Sequence, residues 1–339
     1  MLAFLRTLGV KSVKYSAVAV VGLTTVLVAE AQAQYKIVVT NYGVSANGMP
    51  FAVASEKKFF EEEGIEVTEI LTSAGGGTTL RNMMAADAPY AEINPAAAMG
   101  AVIQGLDLKI IAENVMTVAE FTWFSKLDSK FKKPSDMKGA KVGFNNPRST
   151  SVPLLGMMLE SGGLSMDDIE MVRTGGFGES LTALEIGTID VTPMTDPLWS
   201  RYKGKYTEIA KASDVLPPLS NVVGVTLDSI NDEQKEFVRG VIRARRKAVD
   251  YMAANPQESA EIVAKHYNID LEVAQSVLDN LLNSKTEGIP YWGTGQIHYP
   301  GLDRMIKAQQ SVGAITGEVD LEAAIDTQYL PEDIREILR

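Results

Sequence analysis

Two stretches of this chain repeat one device: a strand, a glycine-rich turn, a helix, and a strand closed by proline. The first runs from Val67 to Leu80 around Gly75-Gly76-Gly77, continues through a helical segment and ends at Ala91-Glu92-Ile93-Asn94-Pro95. The second runs from Ile169 to Leu181 around Gly175-Gly176-Phe177-Gly178 and ends at Ile189 to Pro197. The segments upstream also correspond. Val38 to Tyr42, with a helix closing on Glu62 to Ile65, matches Val142 to Asn146, with a helix closing on Ser161 to Leu164. Each copy can bury a small strand set only by covering it with its own helices. Two similar lobes with glycine-rich turns at the strand ends therefore imply a cleft between them.

The first 33 residues stand apart from that pattern. Arg6, Lys11 and Lys14 form a basic start, Ser16 to Ala29 is an apolar run, and Ala31-Gln32-Ala33 is a small-x-small site before Gln34. This is the design of a secretory signal peptide cleaved after Ala33, and the run is short for a membrane span. No cysteine occurs in the sequence, so no lipid-attachment cysteine, disulfide framework or thiol chemistry is expected. The expected location is an extracytoplasmic space, most simply a bacterial periplasm. The formal net charge is −11, and the rest of the chain is more acidic still once the basic leader is set aside. Without a basic stripe, that balance argues against nucleic acid and against an anionic membrane surface as partners.

From Tyr35 to about Leu227, β-branched runs alternate with helical segments. The expected strands are Ile37–Thr40, Ile65–Ile70, Leu108–Ala112, Lys141–Phe144, Ile169–Arg173, Ile189–Thr192 and Val222–Leu227. Alternation of this kind predicts an α/β fold with mixed, mostly parallel sheets. Crossings between the lobes are expected near Phe121–Ser125 and Asn221–Val225. The expected layout is one discontinuous lobe from 34–122 and 223–339 and a second from 123–222. After Leu227 the chain turns helical. Asn231 with Gln234 forms a capping box for a long helix to about Ala253, Asn255-Pro256 opens another helix, Asp270 caps a third, and Pro331 begins a short last one. This tail is expected to pack on the first lobe.

Catalytic patterns are sparse. His266 and His298 lack partners at metal-ligand spacing, Gly-x-Ser-x-Gly is absent, and neither glycine turn has the spacing of a dinucleotide or P-loop site. No enzyme activity, metal or cofactor is expected. Binding features are stronger. The turns at Ser73 to Gly77, at Asn145 to Ser151 and at Gly175 to Phe177 each lead into a helix, where amide N–H groups and the positive helix end suit an anionic or polar group. In the middle turn Arg148 offers a charged fork, while Ser149, Thr150 and Ser151 can equally cap the helix. Tyr42, Trp123, Phe177 and Trp199 are aromatic candidates for a cleft wall, and Phe124 and Phe144 suit a core. Tyr291-Trp292 could cover the cleft or pack its own loop.

These residues resemble a known family, the NMT1/THI5-like substrate-binding proteins of ABC importers, a group that handles nitrate, sulfonates, taurine and thiamine-precursor pyrimidines. The likeness rests on Phe51 to Val67, on Asp136-Met137-Lys138-Gly139-Ala140-Lys141-Val142-Gly143, and on Leu184 to Asp190 followed by Asp196-Pro197. It implies a type II periplasmic-binding fold with a hinge, closing on a solute and docking on a permease. It places contacts at Tyr42, Asn47, Met49, Ser73, Gly75, Gly76, Gly77, Asn94, Asn145, Asn146, Arg148, Ser149, Thr150, Ser151, Met194, Thr195 and Asp196. Two departures stand out: Lys58 where the pattern has glycine, and Ala86 to Glu92 in place of a Gly-x-(Ile/Val)-Asp loop.

The expected function is a monomeric solute receptor that captures a small organic anion, a sulfonate or carboxylate with aromatic ones included, and delivers it to an ABC permease in the inner membrane. Alternatives are a periplasmic enzyme on the same fold acting on a small carboxylate, with Asp196 as its one good titratable group, and a ligand sensor for a membrane kinase.

Overall fold

The computed structural model describes residues 33–145 and 149–339. The expected leader lies outside the described residues except for Ala33, which opens the first strand, and so do Asn146 and Arg148.

In chain order, the first part holds β1 (Ala33–Thr40), α1 (Met49–Glu56), α2 (Phe59–Glu62), β2 (Ile65–Ser73), α3 (Gly76–Ala85), β3 (Tyr90–Ile93), α4 (Pro95–Ile103) and β4 (Leu108–Val115). Then follow β5 (Phe121–Lys126), β6 (Lys141–Phe144), α5 (Ser151–Ser161), β7 (Glu170–Arg173), α6 (Phe177–Ile186), β8 (Val191–Thr195), α7 (Leu198–Tyr202), β9 (Tyr206–Lys211) and α8 (Ala212–Val215). The chain closes with β10 (Val222–Leu227), α9 (Asp232–Ala254), α10 (Pro256–Tyr267), α11 (Leu271–Asn283), β11 (Lys285–Thr286), β12 (Ile289–Pro290), β13 (Trp292–Gly295), α12 (Tyr299–Ser311) and α13 (Leu321–Ala324).

The strands form a six-stranded sheet in the order β13-β4-β10-β3-β1-β2 and a five-stranded sheet in the order β7-β6-β8-β5-β9, besides the β11-β12 hairpin. The duplication is visible in these orders. β1 pairs in parallel with β2 and β3, and β6 pairs in parallel with β7 and β8. Each parallel triplet is then extended by antiparallel strands, β10 and β4 in one sheet and β5 and β9 in the other. The sheets are thus mixed, and their parallel share is confined to the two copies. Phe121–Ser125, expected as a crossing, is the body of β5. Alternating burial was hidden there, because Phe121, Trp123 and Phe124 are all buried. The crossing itself is Met116–Glu120.

Ile37, Val38 and Val39 are all fully buried, as a strand covered on both faces requires. In β2, at the edge of its sheet, only the two end residues, Ile65 and Ser73, are buried. The capping box at α9 is formed: Asn231 Oδ1 accepts from Gln234 N at 2.9 Å, and Gln234 Oε1 accepts from Asn231 N at 3.1 Å. α9 packs on α1, α2 and β1. The tail does not stay with the first sheet alone. α11 touches α7, while α12 lies against both α4 and α5 and adds Met305 to the core under the second sheet. A helix placed over the crossings buries more of its surface by touching both bodies than by resting on one.

Candidate functional site

Strand register decides where the turns lie. Val115, the last residue of β4, pairs with Val222, the first of β10, and Val223 pairs with Ile93 at the end of β3. In the other sheet, Phe121 at the start of β5 pairs with Thr195 at the end of β8. The crossings Met116–Glu120 and Leu216–Asn221 therefore leave each sheet at the edge where β3 and β8 end. Because β1 and β2 run parallel to β3, and β6 and β7 parallel to β8, all six strands end at that seam. Asn221 N donates to Val115 O at 2.9 Å and Asp196 N to Glu120 O at 3.1 Å, which binds the seam together. Crevices beyond the carboxyl ends of strands are where open α/β sheets hold ligands.

On the first-sheet side, the turn after β2 puts Gly75 at φ +143°, a conformation open to glycine. A Cβ on Gly76 would collide with Ala97 Cβ, so the starts of α3 and α4 abut. No side chain caps α3, so the amides of Gly76 and Gly77 head the helix beside Ser73, whose hydroxyl meets Thr79 and through it Thr40. Asn94 is committed to capping α4, accepting from Ala97 N at 2.8 Å. Asn47 donates to Thr40 O at 3.1 Å and to Glu92 Oε2 at 3.3 Å. Met49 is sealed in the core at the start of α1. Tyr42 is half-buried with its ring edge-on to Tyr267, 5.6 Å between centroids, and burial pushes its hydroxyl up to about 12.

On the second-sheet side, Ser149 and Ser151 hold each other, Oγ to Oγ, at 2.9 Å, and Thr150 starts α5 without a side-chain cap. Asn145 Oδ1 is buried with no hydrogen-bond partner among the described residues. Phe177 is half-buried at the start of α6. There a Cβ on Gly176 would strike the Glu179 carboxylate, which folds back over the positive helix end. That turn is occupied by its own anion. Trp123 is fully buried with Phe121 and α5 side chains on one face of β5, and Met194 and Trp199 are buried with Phe124 on the other. The Phe124 and Trp199 rings lie 5.5 Å apart. Thr195 sits at the strand end, and Asp196 Oδ1 accepts from Ser200 N at 3.1 Å and Ser200 Oγ at 2.7 Å. Tyr291 and Trp292 pack inward, the Trp292 indole donating to Ala46 O at 3.1 Å. Of the core expectations, Phe124 is fully buried and Phe144 half-buried.

The seam also holds carboxylates that motif reasoning passed over. Glu92 meets Arg245 at 2.8 Å with both side chains buried, and Asn114 donates to the same Oε1 at 2.6 Å. Burial pushes Glu92 up; Arg245, Asn47 and Asn114 oppose that push. Glu113 accepts from Ser220 Oγ at 2.5 Å and from His298 N at 2.6 Å, and burial raises it to about 8. Glu120 accepts from the Asn221 side chain, and burial raises it to about 8 as well. Asp196 is raised to about 6 by burial, against its bonds from Ser200. The available hint was a glutamate set in buried β sequence, Ala91-Glu92-Ile93 and Ala112-Glu113-Asn114-Val115, where a charge needs a reason. Among the described residues, no group of three or more histidines or carboxylates is arranged to hold a metal ion.

The sequence profile described as NMT1/THI5 like matches residues 45–259. A candidate binding protein from Brucella abortus (strain 2308) is 27% identical over 225 residues, 65% of this chain and 67% of that protein. The periplasmic aliphatic sulphonate binding protein SsuA from Escherichia coli has a TM-score of 0.73 at 16% identity, covering 88% of this chain and 93% of its own. The periplasmic nitrate-binding protein NrtA from Synechocystis PCC 6803 has a TM-score of 0.68 at 16% identity, covering 86% and 84%. The fold is that of periplasmic binding proteins, and with the profile spanning more than half of its length the chain belongs to the NMT1/THI5-like family.

Proposed function

We propose that this chain is a non-catalytic periplasmic solute receptor, which captures a small organic anion at the seam between the two sheets and delivers it to an ABC permease. The observation that carries this reading is the convergence of six strand ends, three from each sheet, on the two crossings. In the proposed layout, residues 34–122 with 223–339 form one lobe and 123–222 the other, the leader is removed after Ala33, and the receptor acts as a monomer. The anionic end of the solute docks on Ser73 to Gly77 and on Ser149 to Ser151, the helix starts that carry no carboxylate of their own. The start of α6 is set aside, because Glu179 already lies there. A micromolar affinity needs about 8 kcal/mol, within reach of a few amide and hydroxyl bonds in a preformed crevice. A solute that bridges both lobes favours the closed form, which presents both lobes to the permease at once.

Thermal-shift screening of the leader-free protein against sulfonates, carboxylates, nitrate and pyrimidines tests this. At least one solute is expected to raise the melting temperature and to be recovered chemically unchanged. Failure of every class sinks the receptor reading, and a recovered product in place of the added solute replaces it with an enzyme.

A further inference from the structure

Away from the crossings, the first-sheet body makes polar contact with the second through Asn280 of α11, whose Nδ2 donates to Ser200 Oγ of α7 at 3.3 Å. Ser200 Oγ donates in turn to Asp196 Oδ1 at 2.7 Å, so amide, hydroxyl and carboxylate form one chain across the contact. Behind Asp196 stands a second acid. Asp196 N donates to Glu120 O at 3.1 Å, and the Asp196 charge pushes the Glu120 carboxyl up. Both acids are sealed, Glu120 5% and Asp196 2% exposed. Glu120 gives Oε1 to the Asn221 side chain, while Oε2 is buried with no hydrogen-bond partner among the described residues. Among those residues neither acid forms a salt bridge. Lys211 of β9 acts on Asp196 from a distance and lies 3.9 Å from Glu208. From the first-sheet body Tyr291 feels both acids, and it also feels Tyr267 and Glu92. Arg201, next to Ser200, and Asp279, next to Asn280, are exposed. Two buried carboxylates without a cation are costly as anions, so the closed contact favours their protonated forms.

We propose that the α11–α7 contact is a proton-linked latch, which stays shut while Glu120 and Asp196 hold protons and releases when both are ionised. The inference rests on the receptor reading, since closure belongs to it, and adds that pH sets the closed fraction before any solute arrives. Burial holds Glu120 at about 8 and Asp196 at about 6 in this closed form. Once α11 draws away, water reaches the pair and both fall back towards 4.5 and 3.8, the values of the free groups. The closed form therefore takes up protons that the open form has released. Closure is favoured at acid pH and is lost as pH rises through 6 and then 8.

Distances between spin labels test it in the ligand-free, leader-free protein. The chain has no cysteine, so Lys203→Cys beside α7 and Glu272→Cys on α11, both exposed, take labels at those two places alone. The long-distance fraction is expected to grow about threefold or more from pH 5.5 to pH 8.5, with near-ultraviolet circular dichroism showing the protein folded throughout. Glu120→Gln keeps the shape but cannot ionise, and is expected to hold the short distance across this range. Asp196→Asn serves as the second variant, and Glu113→Gln, outside the latch, is expected to leave the response in place. A distribution that ignores pH overturns the inference, as does closure with rising pH or a response undiminished in both Glu120→Gln and Asp196→Asn. Loss of the response in folded Glu113→Gln also overturns it, by moving the switch to the crossing at Ser220. A pH response in a protein that no solute stabilises keeps the latch and removes the receptor reading; solute binding without a pH response does the reverse.

Discussion

Arg245 reaches into the first-sheet core from α9 and meets Glu92, while its other nitrogens donate to Gly293 O at 2.7 Å and Asn114 O at 2.8 Å. One residue thus ties β3, β4, α9 and the start of β13. Arg245→Met leaves Glu92 charged and sealed, and is expected to cost about 3–5 kcal/mol in urea unfolding. A loss below 1 kcal/mol would mean that Glu92 sits there protonated. The carboxylates near the crossings give the protein an unusual pH response. Glu113 and Glu120 titrate near 8 and Asp196 near 6 when folded, against 4.5 and 3.8 for the free groups. The folded state therefore holds protons that the unfolded chain has released. Stability is fullest below the free values and declines as pH rises through 6 and then 8. The ligand-free melting temperature is expected to fall between pH 5 and pH 8.5, and Glu113→Gln to flatten the slope; a rising curve refutes this origin. Lys58 is a smaller case. It stands at φ +59°, where the family pattern carries glycine. Lys58→Gly is expected to raise stability by up to about 1 kcal/mol, the left-handed cost less the entropy of glycine.

At the scale of elements, the starts of α3 and α4 press together through Gly76 and Ala97. Gly76→Ala is expected to cost about 1–3 kcal/mol by overpacking, and Ala97→Gly in the same chain to recover most of it. A double-mutant cycle by chemical denaturation measures this, and additive losses would show that the contact is not shared. Much at this scale was legible beforehand. The α9 capping box and the two copies of strand, glycine turn and helix follow from local patterns, because caps, turns and hydrophobic periods act within a few residues. β5 was missed because Phe121 to Phe124 lacks polar alternation when both faces are covered. The Glu179 carboxylate over the start of α6 was missed too, since only the folded turn shows which group claims the helix end. Glu120 and Asp196 are 76 positions apart in the numbering, and no local pattern pairs them.

For the whole molecule, closure is the property to measure. α11 meets α7 through Asn280 and Ser200, and α12 spans α4 and α5, so the tail lies across the two bodies. A compact chain of roughly 300 residues has a radius of gyration of about 19 Å. Solution scattering is expected to give a value above this for the ligand-free receptor and a fall towards it with the solute found by thermal shift; an unchanged radius on binding rejects hinge closure. The sequence by itself determined the α/β class, the duplicated units and the family, because periodicity, turn chemistry and spaced motifs are local and survive without coordinates. Only the tertiary structure decided which strand ends meet at the crossings, which turn is closed by its own glutamate, and that Glu120 and Asp196, flanking β5 and β8, are joined through their backbones. Those facts depend on register and on burial, and both come from contacts between residues far apart in the chain.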